Sequence, residues 1–120
     1  MDTGSTTNSQ VLAAAFSPDG QYLATDGYDG SNTSVILWRV SSGTEVRRLA
    51  AGNVFAIAFR PDGQYLAVGD DDGIITFWRT DGWGREKQIR TGATVTDLAW
   101  SPGGNLISDG KKVYRPLLSR

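Results

Sequence analysis

The chain contains 120 residues, of which 12 are basic and 13 acidic, so its formal net charge is -1. This balance gives no overall attraction to nucleic acid or to an anionic membrane, and the longest apolar runs, of about six residues, are far too short to cross a bilayer. Residues 1–10 are polar and lack the apolar core of a secretory signal, so a cytoplasmic protein is expected. Because histidine and cysteine are absent, the sequence excludes disulfides, thiolate nucleophiles, Ser-His-Asp triads and histidine-based metal sites within the chain.

One sequence segment occurs three times along the chain. VLAAAFSPDGQYLAT begins at Val11, VFAIAFRPDGQYLAV at Val54 and VTDLAWSPGGNLIS at Val95, and the three align without a gap. A spacing of roughly 40 residues is typical of architectures in which each repeat is one unit of supersecondary structure. The repeats are therefore assigned to residues 11–53, 54–94 and, truncated, 95–120, after a polar segment at residues 1–10.

The first half of each repeat predicts a β-hairpin. An apolar, β-branched run gives a first strand that ends in an aromatic residue. A turn follows, in which proline fixes φ and glycine permits a positive φ. The second strand then starts at Tyr22, Tyr65 and Asn105 in the three repeats. The strand-end aromatic residues and the turn residues are Phe16, Pro18, Asp19, Gly20, Phe59, Pro61, Asp62, Gly63, Trp100, Pro102 and Gly104.

The second half of each repeat predicts two further strands. The third strand ends in an aromatic residue, namely Trp38, Trp78 or Tyr114, and arginine follows it each time. A more polar outer strand is expected at residues 44–49 and 85–90, as suits the edge of a sheet. The third repeat is too short for a full outer strand of its own, and residues 3–10 are the candidate to supply one.

Four-stranded meanders that recur about every 40 to 45 residues are typical of propeller blades. In these features the chain resembles the WD-repeat family. The resemblance covers residues 11–115 and is carried by the AFSPDG, AFRPDG and AWSPGG turns, the hairpin at Asp72 and Gly73, and the third-strand aromatic residues. It implies an all-β fold of β-propeller blades, each a four-stranded antiparallel meander, with three blades in the chain. It also implies a non-enzymatic scaffold for protein–protein interaction that uses no cofactor.

The chain departs from the family pattern in its polar residues. Family repeats often end the third strand in Trp-Asp and carry a Gly-His pair before the first strand, which completes a hydrogen-bond network of His, Ser or Thr, Asp and Trp. Here only Asp72 and Trp78 match that network, and Val68 stands where its hydroxyl residue is expected. The sequence therefore predicts blades held mainly by apolar packing between sheets.

Three blades are too few for a closed ring, because propellers use about 4 to 8. An arc of three exposes an apolar sheet face at each end, which favours completion by further blades. A second copy giving a six-bladed dimer is favoured, since closed two-fold arrangements are the commonest oligomers. Completion by a different protein, and a longer propeller of which this chain is a part, are the alternatives.

The family resemblance also implies a partner-binding face, made by the loops before the first strands and between the second and third strands. On this chain the face comprises Gln10, Asp29, Asn53, Asp71, Thr94 and Lys111. The acidic hairpins of the first two repeats beside Lys111 and Lys112 suit a protein partner of mixed charge.

Single features suggest other functions. The carboxylates at residues 70–72 are interpreted as a polar hairpin turn in which Asp72 accepts bonds from backbone N–H groups, rather than as a calcium site or an acid/base pair. Asp97, in a predicted first strand, is interpreted as a solvated channel position rather than a ligand contact. The alternative function from another class is a glycan- or small-ligand-binding propeller that uses exposed Trp83 or Tyr28.

Arginine follows the third-strand aromatic residue in every repeat, at Arg39, Arg79 and Arg115. We interpret these residues as solvent-facing strand ends whose stems cover aromatic rings. A ring of arginines that binds an acidic partner is the sharper alternative.

Overall fold

The computed structural model describes residues 13–28 and 33–120. Within them the chain is all-β and forms three antiparallel sheets that follow one another along the sequence. The three sheets coincide with the three repeats, so the predicted fold class is confirmed. We call them blades 1, 2 and 3.

Blades 1 and 2 each have four strands that pair in chain order. Blade 1 contains β1 (Ala14–Phe16), β2 (Tyr22–Tyr28), β3 (Thr33–Arg39) and β4 (Thr44–Ala50). Blade 2 contains β5 (Val54–Phe59), β6 (Tyr65–Asp70), β7 (Ile74–Arg79) and β8 (Arg85–Arg90). The outer strands β4 and β8 lie where the polar segments predicted them.

Blade 3 is smaller and consists of β9 (Ala99–Trp100), β10 (Ile107–Ser108) and β11 (Val113–Tyr114), in the order β11-β10-β9. Among the described residues no fourth strand pairs with β11, in agreement with the shortness of the third repeat. The predicted donor strand at residues 3–10 lies outside the described part of the chain.

The proline–glycine turns adopt the predicted backbone conformation. Gly20, Gly63 and Gly104 have φ angles of 75°, 76° and 79°. Only glycine adopts this left-handed region without steric cost. The turn at Gly104 therefore has the same conformation as the other two, although blade 3 is smaller.

Blade 1 packs against blade 2 through one face of each sheet. Ala24 pairs with Leu37 across β2 and β3, so both side chains point to the same face, and both are fully buried. They share a hydrophobic cluster with Ile57, Leu66 and Val68 of blade 2. Burial of each large apolar side chain contributes about 1.5–3 kcal/mol, which makes this interface the main source of blade cohesion.

The opposite face of blade 2 packs against blade 3. Ala67 and Phe77 are fully buried and cluster with Ile107. Trp100 meets the ring of Phe77 edge-on, with centroids 5.7 Å apart, and its indole Nε1 donates to the carbonyl oxygen of Ala58 at 3.1 Å. An aromatic contact and a hydrogen bond therefore join the same two blades.

One part of the family's polar network is present, contrary to the sequence interpretation that only Asp72 and Trp78 match it. In blade 1, Trp38 Nε1 donates to Thr25 Oγ1 at 3.0 Å. In blade 2, Val68 stands at the position of Thr25, and the buried Nε1 of Trp78 has no acceptor among the described residues. The two equivalent tryptophans thus differ in their surroundings, because the hydroxyl group that binds Trp38 has no counterpart beside Trp78.

Exchange of Thr and Val at these equivalent positions tests that difference. We expect Val68→Thr to raise the free energy of unfolding by about 0.5–1 kcal/mol, because it offers an acceptor to an N–H whose lack of a partner costs about 1–3 kcal/mol. Thr25→Val is expected to lower it by about 1 kcal/mol. Urea denaturation with linear extrapolation measures both changes. Since the substitutions are the same pair in opposite directions, equal destabilisation by both would contradict the hydrogen-bond explanation.

Candidate interaction surfaces

Three residues of the predicted partner-binding face are joined by hydrogen bonds. Asn53 Nδ2 donates to Asp71 Oδ2 at 3.0 Å, and the Asp71 N–H donates to the carbonyl oxygen of Asn53 at 3.0 Å. Thr94 Oγ1 donates to the carbonyl oxygen of Asp71 at 2.9 Å. The loops before β5 and β9 are thereby tied to the β6–β7 hairpin, which gives this part of the face a fixed shape.

The other predicted members of this face are placed differently. Gln10 and Asp29 lie outside the described residues. Lys111 is exposed on the β10–β11 hairpin, where its backbone N–H donates to Asp109 Oδ1 at 2.9 Å. The structure thus brings Asn53, Asp71 and Thr94 together and leaves Lys111 on the neighbouring blade.

The β6–β7 turn is stabilised by Asp70, not by Asp72 as the sequence interpretation had it. Asp70 Oδ1 accepts from the N–H groups of Asp72 and Ile74, both at 3.0 Å. One carboxylate oxygen from each of Asp70, Asp71 and Asp72 lies within 4.8 Å of the others. Asp70 and Asp71 already accept hydrogen bonds from the protein, as expected of a polar turn.

Asp97 lies outside the strand in which it was predicted, because β9 begins only at Ala99. Its side chain is exposed. It approaches the β10–β11 hairpin, since a methyl group placed on Gly110 would come within 3.9 Å of its carboxylate.

The side chain of Arg60 stabilises the turn between β5 and β6, at the end of the strands opposite the β6–β7 hairpin. Arg60 donates from Nε to Asp62 Oδ1 at 2.9 Å and from NH2 to Asp62 Oδ2 at 2.7 Å. Its guanidinium carbon lies 4.5 Å from the centroid of the Tyr65 ring, and Arg60 is only 7% exposed. The hydrogen bonds from Arg60 hold the pKa of Asp62 below its usual range.

The equivalent turn between β1 and β2 borders an open cleft between blades 1 and 2. The cleft has a volume of about 250 Å³ and is lined by Asp19, Tyr22, Phe59 and Trp83, among others. Trp83 is half-buried and packs against the core between these blades, so the prediction that its side chain is exposed is wrong. It has a φ of 62°, an uncommon angle for a bulky residue. The side chain of Tyr28 is outside the described residues.

The three arginines after the aromatic residues have different surroundings. The guanidinium of Arg39 lies 5.4 Å from the centroid of Tyr22. Arg79 pairs with Asp81 through Nε at 3.1 Å. Arg115 lines a cavity of about 380 Å³ together with Arg60 and Arg120. Their different roles do not favour a ring that grips one acidic ligand.

Sequence reasoning missed a cluster around Glu86 on β8. Glu86 accepts hydrogen bonds from the Tyr65 hydroxyl at 2.8 Å, from the Ser119 N–H at 2.7 Å and from the Ser119 hydroxyl at 2.8 Å. Burial raises the pKa of Glu86, but these bonds outweigh it and hold the pKa below its usual range. The segment after β11 is thereby fastened to blade 2.

The model of the WD domain, G-beta repeat family matches residues 2–39 and 43–79. The chain belongs to the WD-repeat family. This WD-repeat chain is 46% identical over 102 residues to Aladin of Arabidopsis thaliana, a match that covers 82% of the chain and 22% of that protein. It therefore spans about a fifth of the length of this curated relative.

The fold of the WD-repeat chain is also found among solved structures. The structure of U3-55K matches it with a TM-score of 0.74 at 22% identity, over 83% of this chain and 32% of that chain. At this level of identity the likeness concerns the fold alone, and it identifies the three sheets as propeller blades. No helix long and apolar enough to cross a membrane occurs in the described ranges.

The Arg60–Asp62 pair predicts a pH dependence of stability. Because its folded pKa lies below the ordinary value of 3.8, Asp62 stabilises the fold above that pH and ceases to do so as the pH falls through its lowered pKa. We expect Asp62→Asn to lower the free energy of unfolding at neutral pH by about 1–2 kcal/mol, less than for a fully buried pair because Asp62 is about half exposed.

Urea denaturation of both proteins from pH 7 to pH 2 measures this effect. The difference between wild type and Asp62→Asn is expected to shrink at the acidic end. Asp19→Asn is the matched control, since Asp19 occupies the same turn position without an arginine beside it, and a smaller loss is expected. Equal losses from the two variants would show that Arg60 is not the cause.

Proposed function

We propose that this WD-repeat chain is a non-enzymatic protein-interaction scaffold whose two end faces seat further WD blades, and that a second copy of the chain supplies them. One observation carries the proposal. One large apolar side chain is exposed on each end face, Phe16 and Val113, at repeat positions that contact the neighbouring blade inside the arc.

The leading face is the side of blade 1 that points away from blade 2. Phe16 lies on this face and is 61% exposed, whereas its cross-strand partner Leu23 is buried. Its equivalents in the next two repeats are Phe59, which packs against the blade 1–blade 2 core, and Trp100, which packs against Phe77. Each equivalent residue is covered by the preceding blade, so a preceding blade is the occupant that fits the leading face.

The trailing face is the side of blade 3 that points away from blade 2. Val113 lies on it and is 63% exposed, whereas Phe77, at the equivalent position of blade 2, is fully buried against blade 3. Ala99 and Leu106 line a shallow apolar depression beside Val113. A following blade is the occupant that fits this face.

The two faces suit each other. The leading face uses the positions through which blade 2 contacts blade 1, and the trailing face uses those through which blade 2 contacts blade 3. The trailing face of one copy therefore matches the leading face of another, and head-to-tail contacts of this kind form rings when the rotation closes.

A second source of blades is a longer polypeptide in which this chain is one part. The observation that favours it is the relative's length, since the match to Aladin covers only 22% of that protein. Both sources require the same apolar end faces, and the oligomeric state separates them.

We also assign partner binding to the face built around Asn53, Asp71 and Thr94, which their mutual hydrogen bonds hold in one arrangement. The exposed Asn53 and Thr94, the half-buried Asp71 and the neighbouring Lys111 suit a partner of mixed charge. Supporting a scaffold rather than an enzyme, the chain has no histidine or cysteine, and Asp70 and Asp71 are engaged in turn bonds.

Sedimentation velocity tests ring completion by a second copy. We expect a species of twice the 12.9 kDa chain mass, and we expect Val113→Lys to convert it to a monomer because a charge on the trailing face opposes burial. Val40→Lys is the matched control, since Val40 is an exposed valine of the β3–β4 turn that lies on neither end face.

Circular dichroism checks that Val113→Lys keeps its β structure. A folded wild-type chain that sediments as a monomer would overturn self-assembly. A dimer that survives Val113→Lys would show that the trailing face is not the contact.

A further inference from the structure

In the second repeat an arginine, Arg60, binds both the carboxylate of Asp62 and the ring of Tyr65. Asp62 accepts two bonds from the guanidinium of Arg60, one on each carboxylate oxygen, and the same guanidinium lies over the ring of Tyr65. The backbone N–H of Gln64 donates to Asp62 Oδ1 at 3.0 Å and fixes the carboxylate in place. Asp62 and Tyr65 thus form a binding site for a planar cation, which we call the cation seat of the turn.

The first repeat keeps this seat but replaces the arginine. The segments AFSPDGQY and AFRPDGQY differ only at Ser17 and Arg60. Asp19 is oriented as Asp62 is, since its Oδ1 accepts from the Gln21 N–H at 3.0 Å and from the Ser17 hydroxyl at 2.6 Å. Its Oδ2 accepts no hydrogen bond from the described residues. In the second repeat that oxygen is the one bound to the NH2 of arginine.

The space beside Asp19 fits one side chain. The cleft has a volume of about 250 Å³, below the roughly 300–1,000 Å³ typical of small-molecule sites. Three aromatic residues, Tyr22, Phe59 and Trp83, are among those that line it, and aromatic rings attract cations. Aromatic walls and a carboxylate together favour a guanidinium or ammonium group over a neutral or anionic one.

The charges around the cleft agree with this chemistry. The hydrogen bonds from Ser17 and Gln21 hold the pKa of Asp19 below its usual range, so it is ionised at neutral pH. Asp62 also lines the cleft, but its charge is balanced by Arg60. Arg39 lies over the Tyr22 ring and is not one of the residues that line the cleft. The remaining charge of the lining is the negative charge of Asp19.

We propose that the cleft between blades 1 and 2 receives an arginine side chain of a protein partner, which pairs with Asp19 and lies against the aromatic walls as Arg60 does in the second repeat. This inference rests on the proposed scaffold role only in that the arginine belongs to a protein. It adds a binding surface on the turn side of the arc, separate from the loops that carry Asn53, Asp71 and Thr94.

Two peptides and NMR spectroscopy test the proposal. The peptide acetyl-Gly-Arg-Gly-amide is titrated into the ¹⁵N-labelled chain, and the indole N–H of Trp83 and the backbone N–H of Gly63 report on the cleft. We expect saturable shifts with this peptide. The same peptide with citrulline, which has the shape of arginine without its charge, is expected to bind about tenfold more weakly or not at all.

Variants place the binding at Asp19. Ser17→Arg is expected to abolish the shifts, because it gives the first repeat the same internal guanidinium as the second. Ser101→Arg is the matched control, since each serine hydroxyl accepts from a backbone N–H, Tyr22 for Ser17 at 3.0 Å and Leu106 for Ser101 at 3.1 Å. The third repeat has Gly103 in place of the aspartate, so this control is expected to bind as wild type does.

Absence of saturable shifts with the arginine peptide would overturn the proposal. Equal binding of the citrulline peptide, or binding that survives Ser17→Arg, would overturn it as well. Sedimentation of the same samples reports ring completion independently, because Ser17 lies on neither end face. Loss of arginine binding and loss of assembly are therefore distinguishable.

Discussion

Face-to-face packing of apolar sheets is the interaction on which the rest of this structure depends. A twisted four-stranded sheet with apolar side chains on both faces is not stable in water alone, so each blade requires a neighbour on each side. Blade 2 has both neighbours, and Leu66 on one face and Phe77 on the other are fully buried. Among the described residues, blades 1 and 3 each pack against one other blade. The number of blades that a sheet packs against, rather than any single contact, therefore determines how well its side chains are shielded from water.

Local chemistry accounts for the parts of the fold that the sequence predicted. The Pro-Asp-Gly turns were recognisable because proline and glycine each restrict the backbone at a known position, and Gly20 and Gly63 have the expected φ. The prediction for the polar residues was less accurate, because a shift of one residue along the chain changes which side chain meets a given backbone group. Asp70 rather than Asp72 accepts hydrogen bonds from the turn amides, and Thr25 accepts one from Trp38.

Contacts between distant parts of the chain were beyond sequence reasoning. Glu86 and Ser119 are 33 residues apart, and nothing in a polar edge strand indicates that its glutamate fastens the segment after β11. The half-burial of Trp83 is a similar case, since its glycine-flanked position suggests exposure while the cleft between two blades decides it. Such features depend on which faces meet, and that is settled only by the assembled sheets.

The difference between serine and arginine at one turn position gives the arc a direction. Near-identical repeats present almost the same backbone at every junction, and a partner that recognises shape alone meets several equivalent orientations. Arg60 covers the carboxylate of the second repeat, Ser17 leaves that of the first accessible, and Gly103 removes it from the third. Discrimination between poses is a difference of affinities. A change of one side chain per repeat is therefore enough for a partner to recognise one site on a surface of nearly equivalent repeats.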